Sequence, residues 1–302
     1  MKNLIKITLS LLIVSVILYK VDFHSVWQTI LNANPWMLLG ALFFQLLSIT
    51  IAAYRWTLIM QLLAFKHHFT FYLKSYFKGT LFNQVLPTSI GGDAYRILEI
   101  KSHGGLTKEA FYGVFIDRIV GLIGLLILNL LANLFAHDLL PDIVFHSINF
   151  IALTAILGLI VLMALHKIPL LKKHKITRLF YELSHRFRFI YKTPARISQQ
   201  IGLSILIHFL SIFAIFGIGH SVGINEPIEV FLILVPPALL LTLLPISFAG
   251  WGIREGALIA LFMLINIPQQ QVLAMSLLYG IILILSSLPG LYFYLKNKHR
   301  YL

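Results

Sequence analysis

Arg96 and Arg254 each close a copy of one pattern, Leu-Pro-x-Ser-x-small-Gly-x-x-x-Arg. The first copy is Leu86-Pro87-Thr88-Ser89-Ile90-Gly91-Gly92-Asp93-Ala94-Tyr95-Arg96, and the second is Leu244-Pro245-Ile246-Ser247-Phe248-Ala249-Gly250-Trp251-Gly252-Ile253-Arg254. Proline removes a backbone donor and glycine lets the chain leave helical geometry, so each copy reads as a break. A helix restarting after the glycines presents unpaired N–H groups and a positive dipole end. A guanidinium a few residues further on makes that end a strong anion site, well shaped for phosphate. Ser89 and Ser247 add hydroxyl donors, while Gly91, Gly92 and Gly250 shape the approach. Asp93, Asp117, Arg118 and Glu255 set the charge balance, and Asn83 and Gln84 are candidate lining residues. The same charges also fit internal clamps, with Arg96 held by Asp93, Glu99 or Asp117 and Arg254 held by Glu255.

The elements that must position these residues are apolar. The chain is 59% hydrophobic and 12% charged, too little polar surface to cover a water-soluble fold. Several runs approach or exceed the ~18–20 residues that cross a bilayer. Six plain spans are expected, at about 4–19, 36–56, 119–135, 143–165, 197–222 and 272–295. The run at 4–19 has no small-residue cleavage pattern after it and reads as a retained helix. Residues 22–34 read as a short interfacial segment, and Arg55-Trp56 as interface anchoring at a helix end. Asp117-Arg118 stand at the mouth of the next apolar run. Residues 70–101 and 228–265 form two broken hairpins, the second with an added kink at Pro236-Pro237. A helix break in hydrocarbon is tolerated where it is buried or lines a wet cavity. The fold class is therefore an all-α polytopic membrane protein: about six full spans plus two broken or re-entrant hairpins.

Charge placement gives orientation. With a cytoplasmic N-terminus, 22 of the 24 basic residues fall on the cytoplasmic side, leaving Lys20 and Arg254 outside. That is the positive-inside pattern, and it accounts for the net charge of +13 without a nucleic-acid partner. Both termini and the basic segment 166–196 are expected in the cytoplasm, the latter as a helix lying on the headgroups. Three plain spans separate the hairpins, so the second copy is inverted relative to the first. The expected repeats are about 36–136 and 197–295 within a single membrane domain, an arrangement that places a transporter's site at the repeat interface. There are no cysteines, and the twelve histidines are scattered, so no metal or other cofactor is expected.

Three spaced motifs carry a family resemblance: Asn83-Gln84-x-Leu86-Pro87-x-Ser89-x-Gly91-Gly92-Asp93-x-x-Arg96, Asp117-Arg118-x-x-Gly121-Leu122, and Pro245-x-Ser247-x-x-Gly250-x-Gly252-x-Arg254-Glu255-Gly256. The chain resembles the lysylphosphatidylglycerol synthase transmembrane-region family over nearly its whole length. In larger bifunctional members a related region moves an aminoacylated phospholipid across the bilayer, and a soluble C-terminal domain makes that lipid. This sequence ends at Leu302, just after its last span, so the resemblance implies lipid handling rather than lysyl transfer. The leading expectation is a flippase-like inner-membrane protein for a lipid with an anionic or zwitterionic headgroup, its phosphate held by Arg96 and Arg254. No nucleotide-binding motif is present, which leaves a gradient or mass action as the driving force. The rivals are a membrane-embedded transferase acting on a lipid or polyprenyl carrier, with Asp93 or Asp117 as base, and an accessory subunit for a separate synthase or glycosyltransferase.

Overall fold

The computed structural model describes residues 22–86, 91–135, 141–242 and 251–298. The apolar run at 4–19, most of both Leu-Pro-x-Ser segments, and with them Pro87, Ser89, Pro245, Ser247 and Gly250, lie outside these residues. The helices are α1 (Phe23–Leu31), α2 (Pro35–Leu62), α3 (Phe69–Val85), α4 (Gly91–Ser102), α5 (Thr107–Phe135), α6 (Asp142–Ala164), α7 (Lys175–Ile190), α8 (Pro194–Ser221), α9 (Ile228–Thr242), α10 (Ile253–Phe262) and α11 (Gln269–Lys298). Among the described residues there is no strand. Five helices, α2, α5, α6, α8 and α11, are long and apolar enough to cross a bilayer. The protein is an all-α, multi-pass membrane protein.

Local chemistry sets the helix ends. Asn34 and Thr193 cap the backbone N–H groups of Trp36 and Arg196, and a proline follows each cap at the first helical position. At the other end of α8, Gly223 takes φ +87°, and the Ile224 and Gly223 N–H groups close onto the Gly219 and His220 carbonyls. The same closure ends α2, but there the left-handed position is Ala64, at φ 71°.

α3 and α4 form an antiparallel hairpin. The Gly92 N–H donates to Asn83 Oδ1 at 2.8 Å, and Lys78 pairs with Glu99 nearer the mouth. The backbones meet at Gly79 and Gly92, where a Cβ on Gly92 would stand 2.0 Å from the Gly79 carbonyl oxygen. α9 and α10 form a second hairpin, closed at its mouth by the Phe231–Phe262 ring contact. α4 and α10 are about 18 and 15 Å long, short of a ~30 Å hydrocarbon core.

α2 and α8 run antiparallel. The Asn34 N–H meets the Ser221 carbonyl at one end, Ser48 meets Ser211 midway, and Arg55 meets Ser204 near the other end. Each of these helices leads directly into a hairpin, so the two hairpins open to opposite faces. The element order long–short–short–long occurs twice, as α2–α5 and α8–α11.

Pro236 and Pro237 sit inside α9, which runs on through them. Two prolines remove the helical donors for the carbonyls four residues earlier. Those are Leu232 and Ile233, and the Asn129 amide of α5 donates to both, at 3.1 and 3.0 Å.

The largest apolar cluster lies mainly among α8, α9, α10 and α11 and reaches Ala41 of α2 and Leu125, Leu128 and Ala132 of α5, with Phe231, Leu234, Phe262 and Met275 buried. α7 does not lie wholly on headgroups as expected. Leu183, Phe187 and Ile190 pack against Ile59, Tyr112 and Ile116 of α2 and α5. Glu182 accepts from Tyr112 Oη at 2.8 Å and Arg178 Nε at 2.9 Å and pairs with Lys108, while Arg186 pairs with Glu109. Burial pushes the Glu182 carboxyl up, but the hydrogen bonds from Lys108, Tyr112 and Arg178 outweigh it and hold the group at about 2.

Candidate functional site

Five charged side chains from three helices form one alternating chain around a cavity. Asp117 of α5 is its hub. Arg55 of α2 donates to Asp117 Oδ1 through Nε at 3.0 Å and Nη2 at 2.8 Å, and to the Asp117 carbonyl at 2.9 Å. Arg96 of α4 donates to Asp117 Oδ2 at 2.8 Å and to Asp93 Oδ1 at 3.3 Å. Arg118 pairs with Asp93 Oδ2. The order is therefore Arg55–Asp117–Arg96–Asp93–Arg118, three positive charges against two negative. The first four are at least 94% buried, whereas the Arg118 side chain is 33% exposed.

Aromatic rings hold the middle of this chain. The Arg96 guanidinium lies over Trp56 at 4.0 Å and over Tyr76 at 4.5 Å, a strong cation–π setting in a dry site. With two of its nitrogens on carboxylates, its Nε is buried with no hydrogen-bond partner among the described residues. Counted along the helices, Arg55 is about 10 Å from the end of α2 and Arg96 about 9 Å from the end of α4. Asp117 is about 15 Å from the start of α5. These three ends sit together at the mouth of the first hairpin, so the charges meet two to three turns into the helix bundle from that mouth.

The cavity has a volume of about 480 Å³, within the range of small-molecule sites. Arg55, Asp93, Arg96, Asp117 and Arg118 line it together with the apolar side chains of Leu122, Leu125, Ile207 and Leu239. His208 of α8 also lines it and bonds the Gly121 carbonyl through Nε2 at 2.9 Å. The walls thus come from α2, α5 and α8 and from both hairpins.

Arg254 and Glu255 do not line this cavity. Arg254 donates to Glu255 Oε1 from Nη2 at 2.6 Å and from Nε at 3.1 Å, and also to Ser276 Oγ of α11 at 3.1 Å. Its guanidinium lies 4.8 Å from the Trp251 ring centre and 5.6 Å from that of Tyr279. Glu255 Oε2 caps the Gly252 N–H at 2.6 Å, so part of the helix terminus expected to bind an anion is closed by the chain's own carboxylate.

The expected site residues thus fall into two groups. Asp93, Arg96, Asp117 and Arg118 come together, and Arg254 with Glu255 forms a separate cluster. Asn83 lines the cavity, and Gly91 and Gly92 serve packing: a Cβ on Gly91 would lie 2.5 Å from Leu86. Glu99 pairs with Lys78 rather than Arg96. Two readings are corrected. Arg55-Trp56 is no interface anchor, because α2 continues to Leu62 and buries both side chains. Asp117-Arg118 open the apolar run but do not clamp the mouth of the helix, because α5 begins at Thr107, within the expected start at Thr107 to Glu109, and places them about three turns inside. Arg55 and Ser204 were the residues missed as parts of the charge chain. An arginine within an apolar run is the signal that marks the first; a serine in α8 gives none.

The family profile of the lysylphosphatidylglycerol synthase TM region matches residues 3–290. The chain belongs to this family. No curated protein matches it. Family membership joins the charged cavity to a group of membrane regions associated with lipid-related function. Among the described residues, no cluster of His, Asp or Glu could hold a metal ion.

Proposed function

We propose that this family member binds a phosphate-bearing membrane lipid in the cavity and carries it across the inner membrane. The supporting observation is a cavity lined by three arginines against two aspartates, one net positive charge among the described residues, together with apolar side chains. Arg96 and Arg118 would meet the headgroup phosphate, with Arg55, Asp117 and Asp93 fixing their planes. The acyl chains would extend along the apolar walls into the bilayer. Arg254 and Glu255 would brace the second hairpin, whose Leu239 and Thr242 close the cavity from the other half. The positive-inside balance places 166–196 and both termini in the cytoplasm in this scheme.

The test is exchange of fluorescent phospholipid between leaflets of vesicles holding the full chain. Acceleration over empty vesicles is expected. Arg96→Ala should reduce it by tenfold or more, and Arg96→Lys should recover part, because lysine keeps the charge but loses the fork. No acceleration in the parent protein would overturn the proposal. A loss of rate in Arg96→Ala that only follows loss of folded protein would make Arg96 a clamp.

A further inference from the structure

We infer that the cavity selects lipids whose headgroup carries a single net negative charge and hydroxyl groups, and turns away headgroups bearing an ammonium. This rests on the lipid-binding reading above and narrows it to one headgroup class.

Among the described residues, Asp93 and Asp117 are the only acids lining the cavity. All four of their carboxylate oxygens already accept from arginines: Asp117 Oδ1 from Arg55, Asp117 Oδ2 and Asp93 Oδ1 from Arg96, and Asp93 Oδ2 from Arg118. Neither 87–90 nor 243–250, the two segments between the hairpin arms, contains an Asp or Glu that could supply another. A choline, ethanolamine or aminoacyl ammonium would therefore enter a site with net positive charge and no carboxylate to spare. A like charge without a partner in a desolvated site is a strong means of rejection.

The wall facing the arginines supplies the second half of the selection. Tyr76, Thr80 and Asn83 line the cavity at i, i+4 and i+7, hence from one face of α3. Thr80 Oγ1 donates to the Phe77 carbonyl at 2.8 Å, which leaves its lone pairs as acceptors. Asn83 Oδ1 accepts from Gly92, which leaves its amide N–H₂ as a donor. These groups are neutral and offer both donors and acceptors, as a glycerol-type headgroup requires. Phe115, Ile119 and Leu122 continue the wall with apolar surface for the lipid body.

The experiment measures two properties of the full chain. One is thermal stabilisation in detergent, and the other is leaflet exchange in vesicles. The probes are acyl-labelled phosphatidylglycerol, phosphatidylethanolamine, phosphatidylcholine and lysyl-phosphatidylglycerol, with soluble glycerol phosphate as a fifth arm. Phosphatidylglycerol should stabilise and exchange at least about tenfold better than the three ammonium lipids. Glycerol phosphate should leave the melting temperature unchanged; equal stabilisation by it would make this a soluble-phosphate site and overturn the inference. Thr80→Val with Asn83→Leu should erase the preference for the hydroxyl headgroup. Arg118→Gln, which brings the cavity charge to zero, should narrow the gap between anionic and zwitterionic lipids. Equal binding and exchange of all four lipids would overturn the headgroup selection while leaving translocation standing. Selective stabilisation without exchange would do the reverse.

Discussion

The two arginines that end the repeated motif share a setting and differ in outcome. Each guanidinium lies between a tryptophan and a tyrosine, and each meets a side chain on the long helix that follows, Asp117 for Arg96 and Ser276 for Arg254. In the second half the carboxylate sits beside the arginine, as Glu255, and the pair is neutral. In the first half it sits on the following helix, where it also draws in Arg55 from α2. Three arginines then share two aspartates, and the surplus charge faces a cavity. A carboxylate next in sequence makes a closed clamp, whereas one from a neighbouring helix makes a junction that ties three helices together. The apolar packing differs as well: the largest cluster is built mainly on the second half and takes in Ala41, Leu125, Leu128 and Ala132 of the first, whereas two smaller clusters surround the first hairpin's charged chain.

The sharpest way to break this comparison is to remove each carboxylate. Asp117→Asn takes its carboxylate partner from buried Arg55 and one of two from buried Arg96, and should cost about 3–5 kcal/mol, read as poor yield and early melting in detergent. Glu255→Gln strands one arginine that keeps Ser276 and two rings, so its loss should be smaller. Equal losses would mean that both sites are clamps of the same kind.

Asn129 tests the second hairpin from across the interface. Asn129→Leu leaves the Leu232 and Ile233 carbonyls without donors in a dry environment, at a cost of about 1–3 kcal/mol each. Replacing Pro236 and Pro237 by alanine restores helical donors and should recover most of the stability in the combined variant. If the prolines make no difference, Asn129 acts through packing alone.

The corners where the long helices turn into the hairpins offer a smaller contrast. Gly223 is strain-free in its left-handed position, and Ala64 is not. Ala64→Gly should raise stability by about 1 kcal/mol, and Gly223→Ala should lower it by a similar amount. Melting curves of the two variants should shift in opposite directions.

The smallest effect concerns α7, which braces only the first half. Glu182 has its folded-state pKa held below its ordinary value, so its contribution is present above that value and is lost as pH falls through the folded one. The window runs from 4.5 down to about 2. Its partners Lys108 and Arg178 are well exposed, so the contribution should stay under about 1 kcal/mol. Glu182→Gln should flatten this part of the stability profile; an unchanged slope would assign the brace to the Leu183–Phe187 packing instead.

Hydropathy and helix breakers act over a few residues, so the chain's class, the long spans and the two hairpins were legible directly. Pro35 announces a helix start, and the small residues of the repeated motif announce restarts; the Thr193-Pro194 start of α8 and the continuation of α2 to Leu62 were not read. Family membership was legible for the same reason, because its motifs are contiguous. Charge pairing was not. Arg96 had three candidate carboxylates within reach by sign alone, and packing gave it Asp93 and Asp117 while sending Glu99 to Lys78. Arg55 meets Asp117 across 62 residues and Ser204 across 149, separations that no local pattern encodes. The long spans follow from transfer free energy, which each residue carries with it. The cavity follows from which helices meet, and only the tertiary structure decides that.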